Sequence, residues 1–273
     1  MGRGIAASFA AASIPTAIFS RNASGVTGVD ARVAVLDRLP QEAPTLVIES
    51  VPESIELKHA CYAVIETAYA GKPALASNTS GIDLETLARP LGYPARFLGM
   101  HYYMPAEVDT MVEVAPVLAT DPAAVDTAVR LLEAAGRNYV RLKRALPGLL
   151  INRPQHAMLH EAYYLIDEGI ATAAEIDACA RAMLGPRMCI NGLIEQKDIS
   201  GIAAHALAQR SLVPALHHGA KPRRALQDLY EAGHLGIETG RGFYDWSGKD
   251  PEQVKAEAVR KLDALLAYLK RQK

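Results

Sequence analysis

The sequence predicts an α/β chain: a doubly wound domain over residues 1–146, followed by an all-helical domain over 147–273. Three observations lead there. Short apolar runs alternate with helix-patterned stretches up to Leu142, and such alternation builds parallel βαβ units that sum to one covered sheet. The pair Pro147-Gly148 then punctuates the chain. Beyond it the pattern is helical only.

Each element can be justified in order. Met1 to Phe19 carries one Arg and a run of small apolar residues with Ala-x-Ala spacings, which has the look of a short signal peptide. A buried helix over Arg3–Ala12 is the preferred reading, because a strand over Thr16–Phe19 follows and ends in the polar trio Ser20, Arg21, Asn22. Further strands are expected at Val33–Leu36, Thr45–Glu49, Pro73–Ala76, Arg96–Tyr103, Met111–Val114 and Asn138–Leu142. Helices are expected at Glu53–Ala70 and at Asp121–Ala135, the latter with Asp121 as N-cap and Gly136 as its stop. The second domain reads as helices over Leu149–Glu168, Ala173–Leu184, Ala203–His217, Ala225–Ala232 and an amphipathic tail over Pro251–Lys273.

Composition excludes several classes. Of 273 residues, 50% are hydrophobic and 22% charged, an ordinary globular balance. Lys+Arg (29) and Asp+Glu (30) nearly cancel, which leaves no global field to attract nucleic acid or an anionic membrane. No run approaches the roughly 18–20 apolar residues of a membrane helix. The cysteines, Cys61, Cys179 and Cys189, fit neither a disulfide framework nor a metal site and suit a reducing cytoplasm.

Four segments could carry chemistry. Met1-Gly2-Arg3-Gly4 looks like the end of a dinucleotide-binding glycine loop, in which Gly2 would let backbone approach a pyrophosphate at a helix N-terminus; a plain flexible terminus is the alternative. Ser77-Asn78-Thr79-Ser80 follows a strand, where α/β proteins bind ligands, though an ordinary Ser/Thr turn reads equally well. His101 and Glu113 could meet across a turn, the carboxylate fixing the imidazole tautomer for acid–base work. A satisfied core histidine and a surface glutamate are the plainer reading. Asn152, in PGLLINRP, could orient a substrate or bond a local turn.

Taken in order, MGRGIA, ES-x-PE-x4-K at 49–58, ASNTS at 76–80, the His-to-VEV frame at 101–114, PGLLINR at 147–153 and TGRGFYDW at 239–246 resemble the L-3-hydroxyacyl-CoA dehydrogenase family, from residue 1 to about Trp246. The resemblance implies a Rossmann-type NAD-binding domain, a helical domain that forms a homodimer, and an active site in the cleft between them. It implies that His101 is the general base for the 3-hydroxyl and that Glu113 polarises it. Ser80 would bond the substrate oxygen and also meet the cofactor, Asn152 would position substrate, and Ser50, Glu53 and Lys58 would line the cofactor side. A small-molecule substrate follows, with no nucleic acid, membrane or metal.

These departures from the family pattern shape the expectation. Met104 stands where the family has Asn, removing an amide that anchors the oxygen. The acidic residue that binds the ribose hydroxyls is replaced by Ser20 and Arg21, and an Arg there can take a 2′-phosphate; NAD is expected on family grounds, with NADP admitted. Only roughly thirty residues join Ser20 to Glu49, about half the connection that contacts CoA in the acyl-CoA enzymes, which favours a small free 3-hydroxy acid over a CoA thioester. Residues 192–201 keep the family frame but carry Gln196 and Lys197, which could face a carboxylate or solvent. Finally, the first strand and two glycines of the loop are missing, so the natural chain is expected to begin about ten residues earlier, and the 273-residue form to bind cofactor poorly and be unstable. The rival is a non-catalytic relative that uses the fold for binding or assembly.

Overall fold

The computed structural model describes residues 1–106 and 111–272. They form two compact units, Met1–Arg153 and Pro154–Lys273. The boundary thus falls a few residues beyond the one expected at 146.

The first unit alternates strands and helices, and α3 is an addition to the expected set. It runs α1 (Gly2–Ala11), β1 (Ala17–Phe19), β2 (Ala34–Leu36), β3 (Leu46–Glu49), α2 (Ile55–Tyr69), β4 (Ala74–Ser77), α3 (Leu84–Ala88), β5 (Phe97–His101), β6 (Val112–Pro116), α4 (Pro122–Ala134) and β7 (Tyr139–Arg141). Local chemistry sets the ends. Ser54 accepts a bond from the Leu57 N–H at the start of α2, and Asp121 accepts from Ala123 at the start of α4, with Pro122 in the first turn. Gly136, at φ +63°, stops α4.

Strands β3-β4-β5-β6-β7 form one sheet, and β1-β2 form a separate parallel pair. Among the described residues no ladder joins the two sheets. The β5–β6 pairing is antiparallel, where the sequence had suggested parallel units throughout. The segment between these strands is too short for a parallel crossover, which needs about a dozen residues or more, usually as a helix.

The main sheet is covered on both faces. Ile5 and Phe9 of α1 and Val125 and Leu132 of α4 pack against Leu98, Met100, Val112 and Val114. On the other face Tyr62, Ile65, Leu84 and Leu87 pack against Leu75 and Phe97. Gly99 belongs to this second face: a Cβ there would come within 2.5 Å of the Leu84 side chain, so glycine is what lets α3 seat on β5.

The second unit is helical: α5 (Asn152–Asp167, entered from the first unit), α6 (Ala173–Cys179), α7 (Gly185–Asn191), α8 (Glu195–Ser200), α9 (Ile202–Leu212), α10 (Arg224–Glu231) and α11 (Pro251–Arg271). The predicted start of α5 at Leu149 fails because Gly148 and Leu149 both adopt positive φ (+78° and +49°), which no right-handed helix accommodates. The predicted helix over 173–184 gives way after Cys179 to a π-helical stretch, Ala180–Leu184. None of the described helices is long and apolar enough to cross a membrane.

Candidate active site

The antiparallel β5–β6 pair aligns His101 directly with Glu113. These residues meet across a strand ladder and not, as the sequence suggested, across a turn. His101 Nδ1 lies 2.8 Å from Glu113 Oε2, with both side chains almost fully buried. On the other ring nitrogen, Nε2 lies 3.1 Å from the Ser80 hydroxyl, and Ser80 is exposed. One imidazole therefore connects a buried carboxylate to an accessible hydroxyl.

Glu113 has four donors. His101 Nδ1 and the Tyr103 hydroxyl (2.8 Å) share Oε2, while the N–H groups of Leu150 (2.6 Å) and Ile151 (3.0 Å) converge on Oε1. Burial pushes the Glu113 carboxyl up, and the bonds from His101, Tyr103, Ile151 and Leu150 outweigh it, holding the carboxyl below its ordinary range. The positive φ at Gly148 and Leu149 turns the chain so that two successive amides can point at one oxygen.

The polar run after β4 has a separate partner for each residue. Ser77 faces inward to Glu49 Oε2 (2.9 Å), and the Asn78 amide oxygen accepts from the Tyr102 N–H (2.8 Å). Thr79 donates to Glu53 (2.5 Å), and Ser80 reaches His101. Glu53 Oε1 also accepts from the N–H groups of Ser80 and Gly81, both 3.0 Å away. Burial opposes ionisation of Glu53, but Thr79, Gly81 and Lys58 bring its carboxyl down to about 2. Asn152 donates to the Ser80 carbonyl at 3.4 Å and makes no bond to His101.

Lys58, expected along the cofactor side, is 1% exposed, and its ammonium pairs with Glu49 Oε1 at 2.9 Å and Glu53 Oε2 at 3.3 Å. With Tyr62 and Ser77 on the other oxygen of Glu49, this forms a buried polar network that sequence reasoning missed. The one trace in the sequence is the spacing of Lys58 and Tyr62, one helical turn apart on α2; the adjacency of Glu49 and Ser77 comes only with the strand pairing.

Of the residues expected to hold the dinucleotide, Gly2 opens α1, Ser20 and Arg21 follow β1, and Ser50 follows β3. The first turn of α1 has no side-chain cap, leaving its N–H groups available to an anion. A Cβ on Gly2 would sit 3.7 Å from Ser50, whose Oγ is buried without a partner. That orphaned hydroxyl beside an uncapped helix start fits a phosphate-bearing cofactor. Ser20, at the end of β1, accepts from the Asn22 N–H, and Arg21 is exposed. Met104 is 77% exposed. Gln196 and Lys197 are half-buried in the second unit. Among the described residues no cluster of metal-ligating side chains occurs.

Comparison with known proteins gives the family. Residues 31–145 match the family model described as 3-hydroxyacyl-CoA dehydrogenase, NAD binding domain, and residues 148–246 match the C-terminal domain of the same family. The chain is 30% identical to 5-formyl-3-hydroxy-2-methylpyridine 4-carboxylate 5-dehydrogenase of Mesorhizobium japonicum, over 82% of this chain and 72% of that protein. It is also 30% identical to 3-hydroxybutyryl-CoA dehydrogenase of Bradyrhizobium diazoefficiens, over 81% and 74%. A solved structure of the pyridine-carboxylate enzyme, described as an NAD+-dependent dismutase, superposes with a TM-score of 0.90 at 26% identity, covering 99% of this chain and 95% of that one. This chain belongs to the 3-hydroxyacyl-CoA dehydrogenase family and is an NAD-dependent oxidoreductase.

Proposed function

We propose that the protein interconverts a small 3-hydroxy acid and its 3-oxo form, with His101 as the proton-transferring group. The observation that carries this reading is the unbroken chain from Glu113 through the His101 imidazole to the exposed Ser80 hydroxyl. NAD, when bound, supplies the hydride chemistry. The chain's own residues handle the proton. His101 Nε2 takes the hydroxyl proton during oxidation and returns it during reduction. Glu113 keeps the second proton on Nδ1 and stabilises the imidazolium that forms. Ser80, presented by the Glu53-capped loop, bonds the substrate oxygen, and Asn152 supports that loop through the Ser80 carbonyl. Gly2 and Ser50 hold the cofactor phosphates. Glu53 and Lys58 serve the cofactor side through the loop they brace.

The short Ser20–Glu49 connection supports a free acid over a CoA thioester, as does the likeness to an enzyme named for a pyridine carboxylate. Arg21 extends the cofactor range to NADP through a charge-assisted phosphate contact. A homodimer is supported by the second unit, in which no described residue is fully buried and Ile170, Ile190, Ile194 and Ile199 are each more than 60% exposed. A cytoplasmic setting is supported by three unpaired cysteines. Oxidation of NADH and NADPH in the presence of acetoacetyl-CoA or of small 3-oxo acids tests the reading. Turnover of the free acids with NADH is expected, and turnover of the thioester alone would contradict it.

A further inference from the structure

Tyr103 stands outside the expected site residues, yet its geometry is tied to the base. It lies two residues beyond His101, and its hydroxyl donates to Glu113 Oε2 at 2.8 Å. That is the same oxygen that receives His101 Nδ1. The two rings pack edge to face with centroids 4.5 Å apart. Burial, followed by the neighbouring carboxylate, pushes the Tyr103 phenol well above its ordinary range, so the hydroxyl keeps its proton and acts as a donor throughout the working pH range.

We propose that Tyr103 is a positioning residue that sets the basicity of His101 by drawing off part of the Glu113 charge. This inference rests on the proposed role of His101. A carboxylate oxygen shared between two donors offers each less negative charge than one held by a single donor. The Tyr103 hydroxyl therefore weakens the hold of Glu113 on the imidazolium. Glu113 Oε1 cannot compensate, because the Leu150 and Ile151 amides already occupy it.

The other groups around the imidazole leave Tyr103 as the adjustable one. Ser80 faces Nε2 as a neutral hydroxyl, and Asn152 reaches only the Ser80 carbonyl. The Glu53 carboxylate is engaged by the 79–81 loop and by Lys58, whose other partner is Glu49. Arg153 bonds the Pro147 carbonyl. Among these described neighbours, only Tyr103 shares an oxygen with the base.

The test is the pH dependence of kcat/KM for oxidation of the hydroxy substrate, whose acid limb reports deprotonation of the base in the free enzyme. In Tyr103→Phe the acid limb is expected to move to higher pH, by about half a unit to one unit. Site-specific replacement of Tyr103 by 3-fluorotyrosine, a stronger donor that preserves the packing, is expected to move it to lower pH. Shifts of opposite sign cannot come from a general structural defect. An acid limb unmoved by the fluorinated residue, or moved the same way by both replacements, would overturn the proposal. His101→Gln run alongside separates the two readings. Wild-type turnover in that variant removes the role of His101 itself, whereas lost turnover with an unmoved Tyr103 limb removes only the tuning.

Discussion

The two units of this molecule bury their polar groups differently. In residues 1–153, Glu49, Lys58, Ser77, His101 and Glu113 are almost fully buried, and each has explicit partners. In residues 154–272 no described residue is fully buried, and the ion pairs sit mainly at the surface. The most enclosed of them joins Arg223 to Asp167 at 2.7 Å, with the guanidinium over the Tyr164 ring. Burial makes a polar contact worth more and makes its loss costly. The first unit can therefore hold buried polar groups in one geometry, while the second presents amphipathic faces. The contrast teaches where substitutions will be felt.

The largest expected effect on stability comes from the buried pair. Lys58→Ala leaves the enclosed Glu49 without its cation, and breaking a buried pair typically costs about 3–5 kcal/mol. Denaturant unfolding should show it as a fall in midpoint. Lys255→Ala removes two exposed pairs, with Glu238 and Glu252, and should leave the midpoint unchanged within error. Similar losses at both sites would break the comparison.

A smaller effect is expected at the cofactor end. Arg21→Ala should weaken NADPH about tenfold, as expected for a charge-assisted phosphate contact worth about 1.5 kcal/mol, and barely change NADH. Fluorescence titration of both cofactors checks this. Equal effects on the two would make Arg21 a plain surface charge.

The smallest effect is read through pH. The Glu53 carboxyl is held down to about 2 in the folded chain against an ordinary value of 4.5. A depressed carboxyl contributes stability that is fully present above the higher value and is lost as pH falls through the lower one. Wild type should therefore lose stability between about pH 4.5 and 2 more steeply than Glu53→Gln. Parallel melting curves for the two across that window would contradict the assignment.

Much of the first unit was legible in the sequence because its signals are local. Strand runs such as Leu46–Glu49 are bounded by turn residues, and the cap Asp121 precedes its helix directly. The pairing of His101 with Glu113 was legible as an association but not as a register, since antiparallel alignment depends on the return of the chain between β5 and β6. The Lys58–Glu49 pair was hidden because partner choice for a buried charge is settled by three-dimensional packing across a strand and a helix. The start of α5 was misplaced because a positive φ at Leu149 is not a property its residue type announces. The same applies to the four-donor environment of Glu113, half of which comes from backbone amides with no sequence signature.

The central claim is that His101, held by Glu113, moves the proton. The most direct measurement is kcat together with NADH affinity in His101→Gln and Glu113→Gln. His101→Gln should lower kcat by about 10²- to 10⁴-fold, the usual contribution of a positioned base, with NADH affinity close to wild type. Glu113→Gln should lower the same parameter by less. Wild-type kcat in His101→Gln, or a loss explained wholly by weaker NADH binding, would contradict the account.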